Sequence, residues 1–199
     1  IIRQMSDLKI FSETIPINNK RVIVRLDLNV PLENFKIKDY TRIKVIQEFL
    51  IKLIKKKAKI ILISHLGRPK GKIVSDMSLK PVLEYLEKKL GSKIYFFKEK
   101  IDHSAVDASK NLKGGEILLI ENIRFFKEEE NDDENFAKDL SKLGDLYINE
   151  ALTFNRNTFI KDSYVDAIKR MGNDPRVDID TPKFMKGMRD YMEMQYIRA

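Results

Sequence analysis

Three short segments of this 199-residue chain place polar and basic side chains directly after runs of apolar, mostly β-branched residues. The run ending at Leu26 leads into Asp27-Leu28-Asn29-Val30-Pro31. The run ending at Ile63 leads into Ser64-His65-Leu66-Gly67-Arg68-Pro69, and the one ending at Ile120 into Glu121-Asn122-Ile123-Arg124. If the runs are strands of one parallel sheet, all three loops lie beyond its carboxyl edge, where open α/β sheets bind their ligands. Arg68, Arg124, His65 and Asn29 then converge there, and Arg42 opens the helix that follows the first loop. Guanidinium forks match phosphate and carboxylate oxygens two at a time, so several arginines together point to a ligand with more than one anionic group. Asp27 is an acceptor at the same edge, suited to a ligand hydroxyl or to orienting an arginine. Taken singly, each arginine is as well explained by a surface salt bridge, and His65 by a structural hydrogen bond. Agreement among the loops, and Gly67-Arg68-Pro69 beside the histidine, carry the anion-site reading.

Other chemistries lack their residues. Gly67-Arg68-Pro69-Lys70-Gly71-Lys72 resembles a Walker A loop but is one residue short and continues to Ile73 instead of Ser or Thr. No Gly-x-Gly-x-x-Gly loop and no Ser-His-Asp arrangement appears. With no cysteine and only His65 and His103 as imidazoles, no metal site is expected.

The elements that must position the loops follow from periodicity. Val22–Leu26, Ile60–Ile63, Ile94–Phe97, Ile117–Ile120 and Leu146–Ile148 read as strands. Ile43, Ile46, Leu50 and Leu53 recur at helical steps, predicting a crossover helix over 41–57. Further helices are expected over 79–90 with Pro81 in the first turn, near 105–110 and over 133–143. Strands alternating with helices predict an α/β fold, a Rossmann-like three-layer sandwich with a mainly parallel sheet.

Five of the seven methionines fall in the last 29 residues, a change of texture that suggests a boundary after Ala151. Residues 152–199 are expected to form a helical extension, one helix over 157–171 and another from Thr181-Pro182 with Met185, Met188 and Met192 on one face. A methionine stripe at that spacing is a packing face first.

With 43% hydrophobic and 34% charged residues, the composition is that of a globular domain. A net charge of +8 favours acidic partners, whether nucleic acid, a membrane surface or phosphorylated metabolites. No apolar run reaches the roughly 18 residues that span a bilayer, and no secretory segment opens the chain. A cytoplasmic protein without membrane association is the expectation.

The same residues carry a resemblance. RLDLNVP (25–31), the arginine of YTRI (40–43), SHLGRPKG (64–71), LLIENIRFFKEEE (118–130) and LGDLYINEA (143–151) are similar to phosphoglycerate kinase, in the same order and spacing. That resemblance implies a two-domain glycolytic kinase moving a phosphoryl group between 1,3-bisphosphoglycerate and ADP. Residues 1–151 would be the half that binds 3-phosphoglycerate or 1,3-bisphosphoglycerate. Mg-ADP or Mg-ATP would belong to the other half, so no cofactor is expected here and turnover alone would be negligible; a separate nucleotide-binding half is the partner this implies. Asp27 and Asn29 would contact the substrate, Arg42 would act catalytically on the transferring phosphoryl group, and His65, Arg68 and Arg124 would complete the basic patch. After Asn149 the family pattern calls for Asp-Ala-Phe and a His-Arg-x-His block. This chain has Glu150-Ala151-Leu152-Thr153-Phe154-Asn155-Arg156-Asn157, with Arg156 one position early and both histidines missing, so that role is not carried over. The rival reading is a non-catalytic basic module for nucleic acid or a protein, which lacks interleaved surface aromatics and any nucleic-acid motif.

Overall fold

The computed structural model describes residues 15–131 and 133–149, together with the backbone of two short strands, Lys9–Ile10 and Tyr196–Arg198. The strands, in chain order, are β1 (Lys9–Ile10), β2 (Arg21–Arg25), β3 (Leu32–Glu33), β4 (Lys36–Ile37), β5 (Lys59–Ile63), β6 (Ile94–Phe97), β7 (Ile117–Ile120), β8 (Leu146–Asn149) and β9 (Tyr196–Arg198). The α-helices are α1 (Thr41–Lys55), α2 (Lys80–Leu90), α3 (His103–Asn111), α4 (Lys127–Glu130) and α5 (Glu134–Ser141), with 3-10 turns at Ser75–Met77 and Ile123–Phe125.

Seven strands form one sheet in the order β1-β9-β8-β2-β5-β7-β6, every neighbouring pair parallel. All five strands expected from the sequence are in it. Successive residues of a strand face opposite sides, and here both sides are covered. Val22 and Val24 of β2, Ile60 and Leu62 of β5 and Leu119 of β7 join Ile43, Leu50 and Leu53 of α1 and Val82 and Leu86 of α2 in one apolar layer. Ile23, Ile61, Ile63, Leu118 and Ile120 face the other way, onto Ala105 of α3 and Phe136, Ala137 and Leu140 of α5. This burial on both faces is why the strands read as unbroken apolar runs.

Local chemistry sets the helix ends. The Asp102 carboxylate accepts from the Ser104 N–H at 2.8 Å at the start of α3, and Asp133 accepts from Phe136 at 2.8 Å at the start of α5. The Ser104 hydroxyl, donating at 2.7 Å, and its N–H together hold the Asp102 carboxyl below its ordinary pKa. Helix α2 ends at Gly91, whose φ of +60° suits a left-handed cap. Among the described residues no helix is long and apolar enough to cross a membrane.

Two of the differences from the sequence reading concern strands. Residues 32–37 form a separate antiparallel hairpin, β3–β4. Residues 196–198, expected within a helical extension, are instead strand β9, inserted between β1 and β8. The helices expected over 157–171 and from Thr181 lie outside the described residues.

Candidate anion-binding site

Polar residues at the ends of β5 and β7 brace the loops before any ligand group is considered. Ser64, directly after β5 and fully buried, donates its hydroxyl to the Leu26 carbonyl at 2.8 Å and accepts from the Leu28 N–H at 3.0 Å. That ties the loop after β2 to β5. After β7, the Glu121 carboxylate accepts from the Ser78 hydroxyl at 2.6 Å and from the Leu79 and Asn122 N–H groups at 2.8 Å each. It thereby anchors the first turn of α2, where free N–H groups favour an anion. Asn122, also fully buried, donates from Nδ2 to the Leu66 carbonyl at 2.7 Å and the Met77 carbonyl at 2.9 Å, and its Oδ1 accepts from the Arg124 N–H at 3.1 Å. Groups this deeply buried are costly unless bonded, and each has its partners.

On this frame stand the six candidate side chains. Asp27 accepts from the Asn29 N–H through Oδ1 at 3.1 Å and forms an ion pair with Arg42 through Oδ2. Arg42 is the second residue of α1, whose start is set by the Asp39 carboxylate accepting from the Thr41 N–H at 2.8 Å. The Thr41 hydroxyl and N–H together hold the Asp39 carboxyl below its ordinary pKa. Asn29 Oδ1 accepts from the Gly67 N–H at 3.0 Å, and the Gly67 carbonyl accepts from Arg124 Nη1 at 3.0 Å. A continuous chain of contacts thus runs Arg42, Asp27, Asn29, Gly67, Arg124. His65 and Arg68 flank Leu66-Gly67 in the middle of it. All six candidates therefore stand at the carboxyl edge of the sheet, on the loops after β2, β5 and β7 and the first turn of α1. Arg156 lies outside the described residues.

Their exposure differs in a way that sorts them. Arg124 is only 7% exposed and is oriented by the Gly67 carbonyl. Arg42 leaves 44% of its side chain open to solvent even while paired with Asp27. Arg68 is exposed, and among the described residues no carboxylate pairs with it. Arg68 and Arg42 thus stand at the surface and Arg124 at depth.

Sequence reasoning named the loops, with Gly67 among their residues, but not the bracing contacts that Ser64, Gly67, Glu121 and Asn122 make. It also missed the buried ion pair between Arg25 at the end of β2, 3% exposed, and Glu129 of α4, at 3.8 Å. One signal was available. A Ser, Glu or Arg placed at the last step of an apolar strand sits where the core still excludes water, so it needs a defined partner.

Among the described residues no group of three His, Asp or Glu side chains stands close enough to hold a metal ion. These residues do not fit a divalent cation. A groove of about 440 Å³ lined by Phe35, Ile73, Ser78, Lys80, Glu121 and Phe125 opens nearby. It contains none of the six candidates, and its Glu121 carboxylate makes it a poor seat for an anion.

Comparison with known proteins shows the family. The family model described as phosphoglycerate kinase matches residues 12–158. The phosphoglycerate kinase of Bartonella bacilliformis is 46% identical over 137 residues, which is 69% of this chain and 34% of that protein. That of Moorella thermoacetica is 43% identical over 143 residues, 72% of this chain and 36% of that protein. The structure of phosphoglycerate kinase from Coxiella burnetii superposes with a TM-score of 0.71 at 27% identity, covering 93% of this chain and 40% of that one. The chain spans about a third of the length of the curated relatives it matches. With the family model matching residues 12–158 of its 199, the chain belongs to the phosphoglycerate kinase family.

Proposed function

We propose that residues up to about 151 are the acid-substrate half of a phosphoglycerate kinase and bind 3-phosphoglycerate or 1,3-bisphosphoglycerate at the carboxyl edge of the sheet. The observation that carries this reading is the chain of contacts from Arg42 to Arg124 through Gly67, which ties the first turn of α1 and the loops after β2, β5 and β7 together at one edge of the sheet. The ligand is small and carries a carboxylate and a phosphate, which suits several guanidinium groups and no single one.

In the mechanism, Arg68, Arg124 and His65 hold the anionic ends of the acid. Asn29, whose Oδ1 is taken by Gly67, presents its Nδ2 donor to a ligand oxygen. Asp27 keeps Arg42 aimed at the rim, where it neutralises charge on a transferring phosphoryl group. Phosphoryl transfer depends chiefly on such positioning and electrostatics. The nucleotide, as its magnesium complex, would be held by chain other than the residues described, within this protein or a separate one, and this half alone would bind without turning over. The rival reading as a basic module for nucleic acid or a protein gains no observation in its favour.

Titration with 3-phosphoglycerate tests the proposal. The wild-type chain should bind saturably. Arg68→Ala and Arg124→Ala should each weaken binding about 10- to 100-fold, the loss of a charge-assisted hydrogen bond of about 1.5–3 kcal/mol. Equal affinity in all three proteins would refute it.

A further inference from the structure

The peptide unit joining Leu66 to Gly67 lies between His65 and Arg68, and it is gripped from both sides. Its carbonyl, on Leu66, accepts from Asn122 Nδ2 at 2.7 Å; its N–H, on Gly67, is donated to Asn29 Oδ1 at 3.0 Å. The same Asn122 amide donates its second proton to the Met77 carbonyl at 2.9 Å, and Met77 packs its sulfur over Gly67 so closely that a Cβ there would lie 2.9 Å from it. The Asn122 oxygen accepts from the Arg124 N–H at 3.1 Å, and Arg124 returns a guanidinium N–H to the Gly67 carbonyl at 3.0 Å. The orientation of the amide is over-determined. Two carbonyls and one N–H surround it, and turning it over would set its oxygen against both carbonyls.

We infer that Asn122 is a positioning residue of the anion site: it touches no ligand itself but sets the loop carrying His65 and Arg68 in register with Arg124. All three side-chain hydrogen bonds end on main-chain groups of segments that carry or support site residues. Its side chain is fully buried and its hydrogen-bonding groups are engaged within the protein. The inference rests on the reading of this edge as the acid-substrate site.

Asn122→Asp keeps the acceptor for Arg124 but removes both donors and faces a carboxylate oxygen toward two carbonyls. Its affinity for 3-phosphoglycerate, measured by calorimetry at low temperature where circular dichroism shows the chain folded, should fall at least about tenfold. Leu53→Ala is the control. Leu53 is fully buried near the end of α1, at the opposite edge of the sheet. That variant should lower the melting midpoint yet leave affinity within about twofold, because lost core volume is not lost register. Should Asn122→Asp fail to fold, Asn122→Ser, which loses one of the two donors, takes its place with the same expectation. In the wild type, the Asn122 side-chain amide protons should exchange with solvent at least about 100-fold more slowly than those of a free asparagine. Unaltered affinity in a folded Asn122 variant, or rapid exchange of that amide, overturns the inference while the site reading stands. A wild-type chain that does not bind the acid removes both.

Discussion

At the scale of single residues, Gly67 is the position where substitution should be most telling. Its φ of +65° lies in the left-handed region, and a Cβ would meet the Met77 sulfur at 2.9 Å. Gly67→Ala should therefore cost about 1–3 kcal/mol in a urea melt and also weaken acid binding, because its N–H and carbonyl join Asn29 to Arg124. Asn29, His65, Arg68 and Arg124 could be named as candidates from the sequence because such side chains after a strand suit an anion, while Asp27 was named as an acceptor at the same edge and Arg42 from the start of the following helix. Gly67 was legible only as part of Gly67-Arg68-Pro69 beside the histidine, because its own contacts reside in backbone atoms that every residue type shares. A second residue-scale expectation concerns acid. Burial pushes the Asp145 carboxyl up, but hydrogen bonds and the charge of Arg21, at 2.6 Å, outweigh it and leave its pKa below the ordinary 3.8. A carboxyl whose pKa is depressed on folding stabilises the fold above its unfolded value and loses that contribution as pH falls through the folded one. Chemical denaturation from pH 6 downward should show stability falling from about pH 4. Asp145→Asn should make that acid limb shallower, and an unchanged limb would remove the pair from the account.

At the scale of elements, five of the seven sheet strands and the helices α1, α2 and α5 were predictable because each has an apolar stripe or run long enough to show its period, whereas α3, burying Ala105 and Ser109, shows little of one. The hairpin β3–β4 was not. Its turn residues Asn34 and Phe35 both take positive φ, +49° and +59°, and Asn-Phe lacks the glycine that usually marks such a turn. The short helix α4 and the turn bearing Arg124 escaped for a similar reason, being about one turn long and held by neighbours. Strand β9 lies in a segment whose methionine spacing suggested a helix, and its pairing with β8 is a tertiary contact that no local pattern announces. Helix α2 yields an element-scale prediction. Its start is held by Glu121 through Ser78 and Leu79. Glu121→Ala should cost about 1–3 kcal/mol, the loss of a buried acceptor that leaves donors unpaired, and thermal melting followed by circular dichroism would detect it. An unchanged midpoint would mean that the carboxylate does not support the helix.

At the scale of the whole molecule, the tail is joined to the sheet through β9, which pairs with β8 at Tyr147↔Tyr196 and Ile148↔Ile197 and is the neighbour of β1. Deleting residues 152–199 should strip that edge. With roughly 1 kcal/mol per lost backbone hydrogen bond and about 2–4 °C per kcal/mol for a domain of this size, the melting midpoint should fall by several degrees. An unchanged midpoint would show that the edge holds without β9. The place of β9 also bears on synthesis. Residues 9–10 emerge from the ribosome early and residues 196–198 late, yet in the sheet β1 is adjacent to β9 and to no other described strand. Translation can thus deliver β2, β5, β7 and their loops to a growing core while β1 still waits, unpaired, for a segment not yet through the exit tunnel. The β8–β9–β1 edge of the sheet therefore closes last.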